Sequence, residues 1–323
     1  MLKKNDTNAA LISRKKFLAS SSMLLMATAI KAKGLSSFWD DDRIIDIHQH
    51  TNYMDRTNDQ LVAHQDKMGA SKTILLPAGD PVSYGSTHYG YSNGLQAKAT
   101  GNAACYELAQ KYPDKFFFGA NQVPDLPDAR KEIEKYLKLG AVVIGESKFN
   151  LECDSPEMQK TYELAQEYNV PVLMHWQYNM YNRGFERFYK MLEKYPKVTF
   201  IGHSQTWWGN VDKNLDNQNI LYPKGKVTEG GITTRYLNDY QNIYADISAG
   251  SGLKFMQRDE EYATGFLKRF QDKILFGSDC WDPEASGPNC HGTNLITEIR
   301  KLAPKDVSRK ILFGNASKLF KIK

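Results

Sequence analysis

Eight apolar runs, with helical patterns between them, are the feature that most constrains how this chain of 323 residues can fold. Most of the runs are continuous rather than alternating, which is typical of strands buried on both faces of a parallel sheet. The predicted strands are Ile44–His50, Lys72–Pro77, Phe116–Asn121, Ala141–Lys148, Val170–Trp176, Val198–His203, Asn242–Ile247 and Lys273–Asp279.

Helical periodicity between these runs predicts helices over 95–112, 128–139, 156–168, 185–195, 260–270, 293–302 and 306–320. Ser155 and Pro156 are residue types preferred at an N-cap and at the first helical position, and Asp128 is predicted to cap its own helix. Strands that alternate with helices predict one α/β domain over 43–323, with a (β/α)8 TIM barrel as its architecture. A doubly wound open sheet is the alternative, but no glycine-rich phosphate-binding motif follows any strand.

The first 29 residues differ from the rest of the chain. A basic segment precedes a mostly apolar run, Phe17–Ala29, which ends in small residues of the kind that a signal peptidase recognises. Ser13–Leu18 resembles a twin-arginine export signal, with Lys15 where the second arginine usually stands. We therefore expect a signal peptide over 1–29, a linker over 30–42, and export to the periplasm or the extracellular space.

The formal net charge of +5 lies mostly in this leader, which contains five basic residues and one acid. The remainder is nearly neutral, so its charge does not favour nucleic acid or an anionic membrane as a partner. The apolar run is too short for a stable membrane anchor. We therefore expect a small-molecule substrate as the partner, and the sequence leaves a homo-oligomer open.

The four cysteines do not form the C-x-x-C pair that is typical of zinc sites. Cys105 lies in a predicted helix and is interpreted as a small core residue. Cys280 and Cys290 flank one loop, so a disulfide between them is one alternative, which the sequence alone cannot decide.

The first predicted strand ends in two imidazoles. Residues two apart on a strand point the same way, so Asp46, His48 and His50 share one face. Two neutral imidazoles at this spacing can bind one divalent metal ion, whereas two solvated histidines are the structural alternative.

Other predicted strands also end in residues that suit a metal site. Because a barrel collects the C-terminal ends of its strands at one face, we expect these side chains to lie close together. They are Glu146 and Lys148 on the fourth strand, His175 on the fifth, His203 on the sixth, Asp246 on the seventh and Asp279 on the eighth. The remaining histidines, His64, His88 and His291, fall on helices or loops.

Four strings carry a resemblance to a known family: D-x-H-x-H at 46–50, V-P-V-L-M-H-W at 170–176, F-I-G-H-S at 200–204 and I-L-F-G-S-D at 274–279. In this order, and at the ends of strands one, five, six and eight, they resemble the amidohydrolase superfamily. The local strings are most similar to its amidohydrolase-related branch, called amidohydrolase family 2. The resemblance covers residues 43–320.

The resemblance implies a (β/α)8 barrel with one or two divalent metal ions, usually zinc. It implies His48, His50, His175 and Asp279 as metal ligands, with Asp279 also the general base towards the attacking water. His203 would bind a second ion or contact the reacting group. The chemistry agrees, because a divalent ion activates water and polarises a carbonyl, and a nearby carboxylate can accept the proton.

The fourth strand leaves two interpretations open. Many superfamily members place a carboxylated lysine there, and others use a glutamate. Ile144-Gly145-Glu146 also resembles the metal-binding glutamate of TatD-type nucleases. We interpret Glu146 as a metal ligand, with Lys148 as its partner or as a substrate contact; a structural ion pair at the rim is the alternative.

Aromatic and basic residues near the strand ends are candidates for substrate binding. Trp176 and Tyr178 follow His175, and Trp207 follows His203, so their rings are predicted to contact substrate, with loop packing as the alternative. Arg235 is predicted to bind a substrate carboxylate.

These features predict a metal-dependent hydrolase that cleaves an ester, lactone or amide with an activated water. The same branch contains non-oxidative decarboxylases of aromatic or unsaturated carboxylic acids, which are the first alternative. A non-catalytic barrel that binds sugars or aromatic compounds is the second. Glu146 as a ligand would favour hydrolysis, whereas a single-ion site with an arginine above it would favour decarboxylation.

Overall fold

The structure is a computed structural model that describes residues 42–78 and 99–323. The predicted signal peptide over 1–29 lies outside the described residues, as does the predicted linker except for its last residue. His88 and the start of the helix predicted over 95–112 lie outside them too. No helix in the described part is long and apolar enough to cross a bilayer.

The predicted strands are present in the predicted order. They are β1 Ile44–Gln49, β2 Ala70–Leu75, β3 Phe116–Phe118, β4 Ile144–Ser147, β5 Val172–His175, β6 Phe200–His203, β7 Ile243–Asp246 and β8 Ile274–Leu275. All pairings between consecutive strands from β1 to β3 and from β4 to β8 are parallel. Most strands are shorter than their apolar runs, because the runs continue into the buried loops beyond them.

Backbone hydrogen bonds join the two groups of strands into a closed barrel. Beyond β3, Ala120 donates to Val143 O at 2.9 Å, and the residue pair Ala120 and Ile144 forms a parallel bridge. Between the first and last strands, Ile47 donates to Phe276 O at 3.1 Å and Asp279 donates to His48 O at 2.8 Å. The (β/α)8 TIM barrel is therefore confirmed, and the open sheet is excluded.

Helices connect the strands. They are α1 Asn58–Met68, α2 Asn102–Lys111, α3 Ala129–Lys138, α4 Pro156–Tyr168, α5 Tyr189–Lys194, α6 Gln205–Gly209, α7 Ile232–Asp239, α8 Ala249–Arg258, α9 Glu260–Arg269, α10 His291–Leu302, α11 Lys305–Arg309 and α12 Asn315–Phe320. A π-turn, Lys310–Gly314, joins α11 to α12 where one continuous helix was predicted.

Local capping explains where several helices begin. The bounds of α4 are those predicted, and Ser155 Oγ accepts a hydrogen bond from Met158 N. Asp128 is the N-cap residue of α3, as predicted, although among the described residues its side chain accepts no capping hydrogen bond. The sequence analysis missed α1, although Thr57 and Gln60 form a capping box at its start.

The hydrophobic core lies beneath the strand ends and around the strands. Leu173 and Ile201 are fully buried and lie two residues before His175 and His203, so each shares a face with its histidine. Leu173 and Ile201 both belong to a cluster of buried hydrophobic side chains that also contains Phe313 and other residues of the C-terminal segment. The strand ends that carry the polar residues therefore rest on a close-packed apolar layer.

Candidate metal centre

The two histidines of β1 present their Nε2 atoms to each other at a distance of 3.2 Å. His48 Nδ1 lies 2.7 Å from Asp246 Oδ2, and His50 Nδ1 lies 2.7 Å from the carbonyl oxygen of Leu76. Both partners are acceptors, so each Nδ1 donates its proton to its partner and each Nε2 faces the cluster, where its lone pair can bind an ion once the imidazole is neutral. Both side chains are buried.

The histidines of β5 and β6 form a second pair. His175 and His203 are direct neighbours in the register of these strands. His203 Nδ1 lies 2.9 Å from Ser248 Oγ, while its Nε2 points towards the carboxylates. His175 Nε2 lies 2.8 Å from Ser204 Oγ.

Glu146, at the end of β4, lies between the two histidine pairs. Its Oε2 is 3.8 Å from His48 Nε2 and 3.6 Å from His50 Nε2. Its Oε1 is 2.5 Å from His175 Nδ1 and 3.7 Å from His203 Nε2. Each carboxylate oxygen therefore faces one pair. The prediction that Glu146 joins the histidines in one cluster agrees with this geometry.

Asp279 closes the cluster on the side of β8. Its Oδ1 lies 3.8 Å from His48 Nε2 and 3.6 Å from His50 Nε2, and its Oδ2 lies 3.7 Å from His203 Nε2. Within the described residues, Oδ1 is buried and accepts no hydrogen bond. The backbone of Asp279 has a φ of 42°, in the left-handed region that aspartate tolerates better than most residues.

The electrostatics leave three of the four imidazoles neutral. Burial, followed by the charge of His48, lowers the pKa of His50 to about 3, and burial followed by Lys148 lowers the pKa of His175 to about 4. The pKa of His203 is lowered for the same reason, first by burial and then by His48. Neutral imidazoles are the form that binds metal.

The acidic groups and His48 carry the charge of the cluster. Burial opposes ionisation of Glu146, but His175 holds the pKa of that carboxyl well below its usual value. Burial raises the pKa of Asp279 to about 6, against the opposing charge of His48. Burial likewise opposes the charge of His48, yet Asp279 and Asp246 raise its pKa well above the usual value.

The donor set fits a divalent metal. Ligand atoms about 2.0–2.2 Å from a common ion lie roughly 3–4 Å from one another. The distances that join the Nε2 atoms of His48, His50 and His203 to one another or to the carboxylate oxygens, where given above, are in that range. Three overlapping sets of His and carboxylate atoms converge here. The orphaned Oδ1 of Asp279 is a buried acceptor that an ion would satisfy. The side chains would hold the ion with imidazole nitrogen and carboxylate oxygen, which suit Zn²⁺ and Mn²⁺.

Asp246 is a positioning residue to which the sequence analysis assigned no role, although it was noted as a strand-end carboxylate. It is fully buried and contacts His48, His203 Nδ1 at 3.3 Å and Ser248 Oγ at 2.9 Å. Gly277 makes room for it, because a Cβ there would lie 2.6 Å from Asp246 Oδ1. Tyr53 was also missed; its ring centre lies 5.0 Å from that of His50, and burial followed by the charge of Asp279 raises the pKa of its hydroxyl.

Two of the four residues predicted to bind substrate line a cavity beside the cluster. This cavity of about 430 Å³ includes Trp176, Tyr178, Gln177 and Tyr181 among its lining residues. Gln177 Oε1 lies 3.4 Å from His175 Nε2, so the cavity borders the cluster. The indole of Trp176 is 1% exposed and packs against Phe185, so packing accounts for most of its contacts.

The structure does not bring the other two residues to the cluster. Trp207 is fully buried beneath Gly202, where a Cβ would lie 2.1 Å from its ring. Arg235 is exposed on α7. Their role in substrate binding stays a prediction. Lys148 is buried, with its Nζ 5.4 Å from the ring centre of Tyr181, which lines the cavity.

Comparisons with known proteins identify the family. The family model described as Amidohydrolase, for amidohydrolase family 2, matches residues 45–322. This chain belongs to the amidohydrolase family. The resemblance seen in its sequence motifs is thereby confirmed, and the cluster lies where this family of metal-dependent enzymes is expected to bind metal. A search of curated protein sequences found no match.

Solved structures of amidohydrolases and related barrels share the fold. An uncharacterised TIM-barrel protein from Bordetella bronchiseptica is 16% identical, with 86% of this chain and 98% of that chain covered and a TM-score of 0.58. A dihydroxybenzoic acid decarboxylase from Polaromonas sp. JS666, with bound manganese and the inhibitor 2-nitroresorcinol, is 17% identical, with 87% and 97% covered and a TM-score of 0.55.

A third structure belongs to a probable hydrolase. It is a probable 2-pyrone-4,6-dicarboxylic acid hydrolase from Acinetobacter baumannii with bound citric acid, 16% identical, with 86% and 99% covered and a TM-score of 0.54. At these identities the likeness establishes the fold and not the reaction.

Proposed function

We propose that this amidohydrolase is a metal-dependent hydrolase that cleaves an ester, lactone or amide bond. The observation that carries the proposal is the position of Glu146, whose two carboxylate oxygens face different pairs of histidines. Glu146 would help to hold two ions, one together with His48, His50 and Asp279 and the other together with His175 and His203. Paired ions activate water and polarise a carbonyl.

Asp279 is the group best placed to accept the proton of the attacking water. Its Oδ1 accepts no hydrogen bond among the described residues and faces the position of the ion, which leaves Oδ2 of the same carboxylate as the proton acceptor. A base must lie within hydrogen-bond reach of the proton it accepts, and a carboxylate with one oxygen towards the ion keeps the other beside the attacking water. His203 Nε2, which would hold the second ion, lies 3.7 Å from Asp279 Oδ2 and so borders the same carboxylate.

The cavity beside His175 would bind the substrate. It is lined by polar groups that include Asn182, Arg183 and Thr206, together with the half-exposed ring of Tyr178. A mixture of aromatic and hydrogen-bonding groups suits a small organic molecule with a ring and polar substituents. The volume of about 430 Å³ is within the range of ordinary small-molecule sites.

A decarboxylase is the second candidate function, and Lys148 is the observation that favours it. The side chain is buried, and its Nζ lies 5.4 Å from the ring centre of Tyr181, which lines the cavity, so Lys148 would be near a substrate carboxylate bound there. The structure with bound manganese that shares this fold is a decarboxylase. A carboxylate on the substrate would also suit a lactone dicarboxylic acid, so Lys148 alone does not separate the reactions.

The deciding experiment measures both reactions on one preparation. Purified protein, supplied with Zn²⁺ or Mn²⁺, is assayed on a panel of lactones, esters and amides, and for carbon dioxide release from aromatic and unsaturated acids. We expect hydrolysis that Asp279→Asn abolishes and that Asp239→Asn, an exposed control on α7, leaves unchanged. Carbon dioxide release without hydrolysis would contradict the proposal and support the second candidate.

Metal content tests the role of Glu146 separately. We expect His48→Ala and His175→Ala each to lose metal relative to the wild type, because each removes a ligand on one side of Glu146. Glu146→Gln should lose affinity for both ions. Unchanged metal content in His175→Ala would contradict a second ion and would leave a one-ion centre of His48, His50 and Asp279.

A further inference from the structure

A second cluster of soft ligands lies outside the metal centre. His64 on α1, Cys280 in the loop after β8, and Cys290 at the start of α10 are all fully buried. Cys280 Sγ lies 3.7 Å from Cys290 Sγ, and Cys290 Sγ lies 3.7 Å from His64 Nε2. All three ligand atoms lie within 4.8 Å of one another. Neither the metal centre nor the proposed reaction uses any of them.

The spacing of these atoms fits a metal ion. Two thiolates bound tetrahedrally at about 2.3 Å from one zinc ion are about 3.8 Å apart. A disulfide requires about 2.0 Å between its sulfur atoms, and both cysteines are free thiols here. The structure therefore has free thiols at Cys280 and Cys290 and not the disulfide that the sequence left open.

The surroundings of His64 also suit a ligand. The side-chain amide of Gln65 lies 3.3 Å from His64 Nδ1 and 2.9 Å from Thr73 Oγ1. An amide can present either its oxygen or its nitrogen, and a hydroxyl can donate or accept. With the amide oxygen towards His64, Nδ1–H donates to Gln65 and the Nε2 lone pair faces the two sulfur atoms.

The position of Cys290 favours its thiolate, the form that binds metal. It is the N-cap of α10, and its Sγ accepts a hydrogen bond from Thr293 N at 3.4 Å. A thiol at a helix N-terminus is stabilised in this state by the helix dipole.

We propose that His64, Cys280 and Cys290 bind a Zn²⁺ ion that is separate from the metal centre. Two thiolates and one imidazole are a soft ligand set that prefers Zn²⁺ to Mg²⁺, Ca²⁺ or Mn²⁺. Binding displaces the thiol protons to solvent, so no oxidant or reductant is required. Three protein ligands leave the fourth position of the ion to a non-protein group.

This ion would hold the loop that follows Asp279. It would link α1, the residue directly after Asp279 and the first turn of α10. The carbonyl oxygen of Cys280 already accepts hydrogen bonds from Gln49 at 2.9 Å and from Arg56 at 2.8 Å. Gln49 lies between His48 and His50, so the second site is in direct contact with the segment that carries them.

Cobalt absorption separates the two sites. A thiolate-to-cobalt charge-transfer band can arise only from the cysteine site, because the metal centre offers nitrogen and oxygen alone. Metal-free wild type titrated with Co²⁺ should show this band. We expect Cys280→Ser and Cys290→Ser to lose it, and His64→Gln to bind Co²⁺ at least tenfold more weakly there. Cys105→Ser and Cys153→Ser, two buried cysteines outside the cluster, should keep it.

The same titration distinguishes this proposal from the proposed function. His175→Ala should keep the charge-transfer band while it loses hydrolysis. A wild type without the band would overturn the zinc site and leave the hydrolase proposal intact. A Cys280–Cys290 disulfide, found by mass spectrometry after free thiols are blocked, would also overturn the zinc site and leave the hydrolase proposal intact.

A measurement on the wild type covers variants that fail to fold. Zinc X-ray absorption of the zinc-loaded protein should show sulfur at about 2.3 Å in addition to nitrogen and oxygen. A spectrum with nitrogen and oxygen alone would overturn the proposal. Copper in place of zinc in the chelator-free preparation would overturn the choice of ion.

Discussion

Asp246→Asn tests whether this buried carboxylate orients the histidines of the metal centre. Asp246 Oδ2 accepts the Nδ1 proton of His48 at 2.7 Å and also contacts His203 Nδ1 at 3.3 Å. The carboxylate acts on both pairs of histidines at once. Asparagine keeps the shape of the side chain but removes its charge, so the hydrogen bond to His48 is no longer charge-assisted.

We expect Asp246→Asn to bind metal more weakly than the wild type. Removal of a hydrogen-bond partner behind a metal-binding histidine usually weakens binding by about 10-fold to 100-fold. This corresponds to about 1.4–2.8 kcal/mol. Stability of the metal-free protein should fall less than metal affinity, because burial raises the pKa of Asp246, and the avoided cost of desolvating its charge offsets part of the lost attraction to His48.

The assay is a Zn²⁺ titration of metal-free protein against a chromophoric chelator, with thermal unfolding of the same samples. Asp239→Asn, on the exposed surface of α7, is the control and should bind zinc as the wild type does. Wild-type zinc affinity in Asp246→Asn would refute the argument that this residue orients His48. A large loss of stability in the metal-free variant would show that its role is structural.

Gly277→Ala places a Cβ 2.6 Å from Asp246 Oδ1. We therefore expect the free energy of unfolding to fall by about 1–3 kcal/mol and zinc affinity to fall with it. Urea unfolding with and without Zn²⁺ measures both, and unfolding curves equal to those of the wild type would contradict the predicted steric clash. Arg187 donates to Asp154 at 2.8 Å and holds the pKa of that carboxyl below its usual value. The pair therefore stabilises the fold above the ordinary aspartate pKa of about 3.9, and this contribution is lost as the pH falls. The free energy of unfolding of Arg187→Gln should be lower than that of the wild type by about 0.5–1 kcal/mol at neutral pH and should approach it in acid. Unfolding measured at a series of pH values tests this. If the predicted leader is an export signal, intact-mass analysis of natively exported protein should find a chain that begins near Ile30, and an uncleaved leader would count against export.

The sequence was sufficient to predict the barrel and to select the strand-end residues that meet in the candidate metal centre. Continuous apolar runs predicted the strands because a strand buried on both faces leaves that pattern. His48 and Asp279 could be assigned to one site because a barrel collects its strand ends, whatever their separation along the chain. The position of Glu146 between the histidine pairs follows from the three-dimensional arrangement of β1, β4, β5 and β6, which no local pattern reports.

Other features depend on contacts that are distant in sequence. Trp207 was predicted to face the substrate because it follows a strand-end histidine. Its ring instead occupies the space beside Gly202, which has no Cβ. The cluster of His64 with two cysteines escaped notice because its ligands do not have the short spacing of known zinc motifs. By contrast, α1 could have been found, since Thr57 and Gln60 form a local capping signal.

The hydrogen bonds that close the barrel also determine when the metal centre can form during folding. Asp46 Oδ1 accepts the backbone N–H of Ser278 at 2.8 Å, across 232 positions of the chain, and Asp279 follows directly. While β8 is still inside the ribosome, the emerged part of the nascent chain contains His48 and His50. It still lacks the carboxylate of Asp279 and the strand that positions it. Contacts this distant form late because loop closure must precede them. The complete centre is therefore a property of the finished barrel, and metal loading must follow its closure.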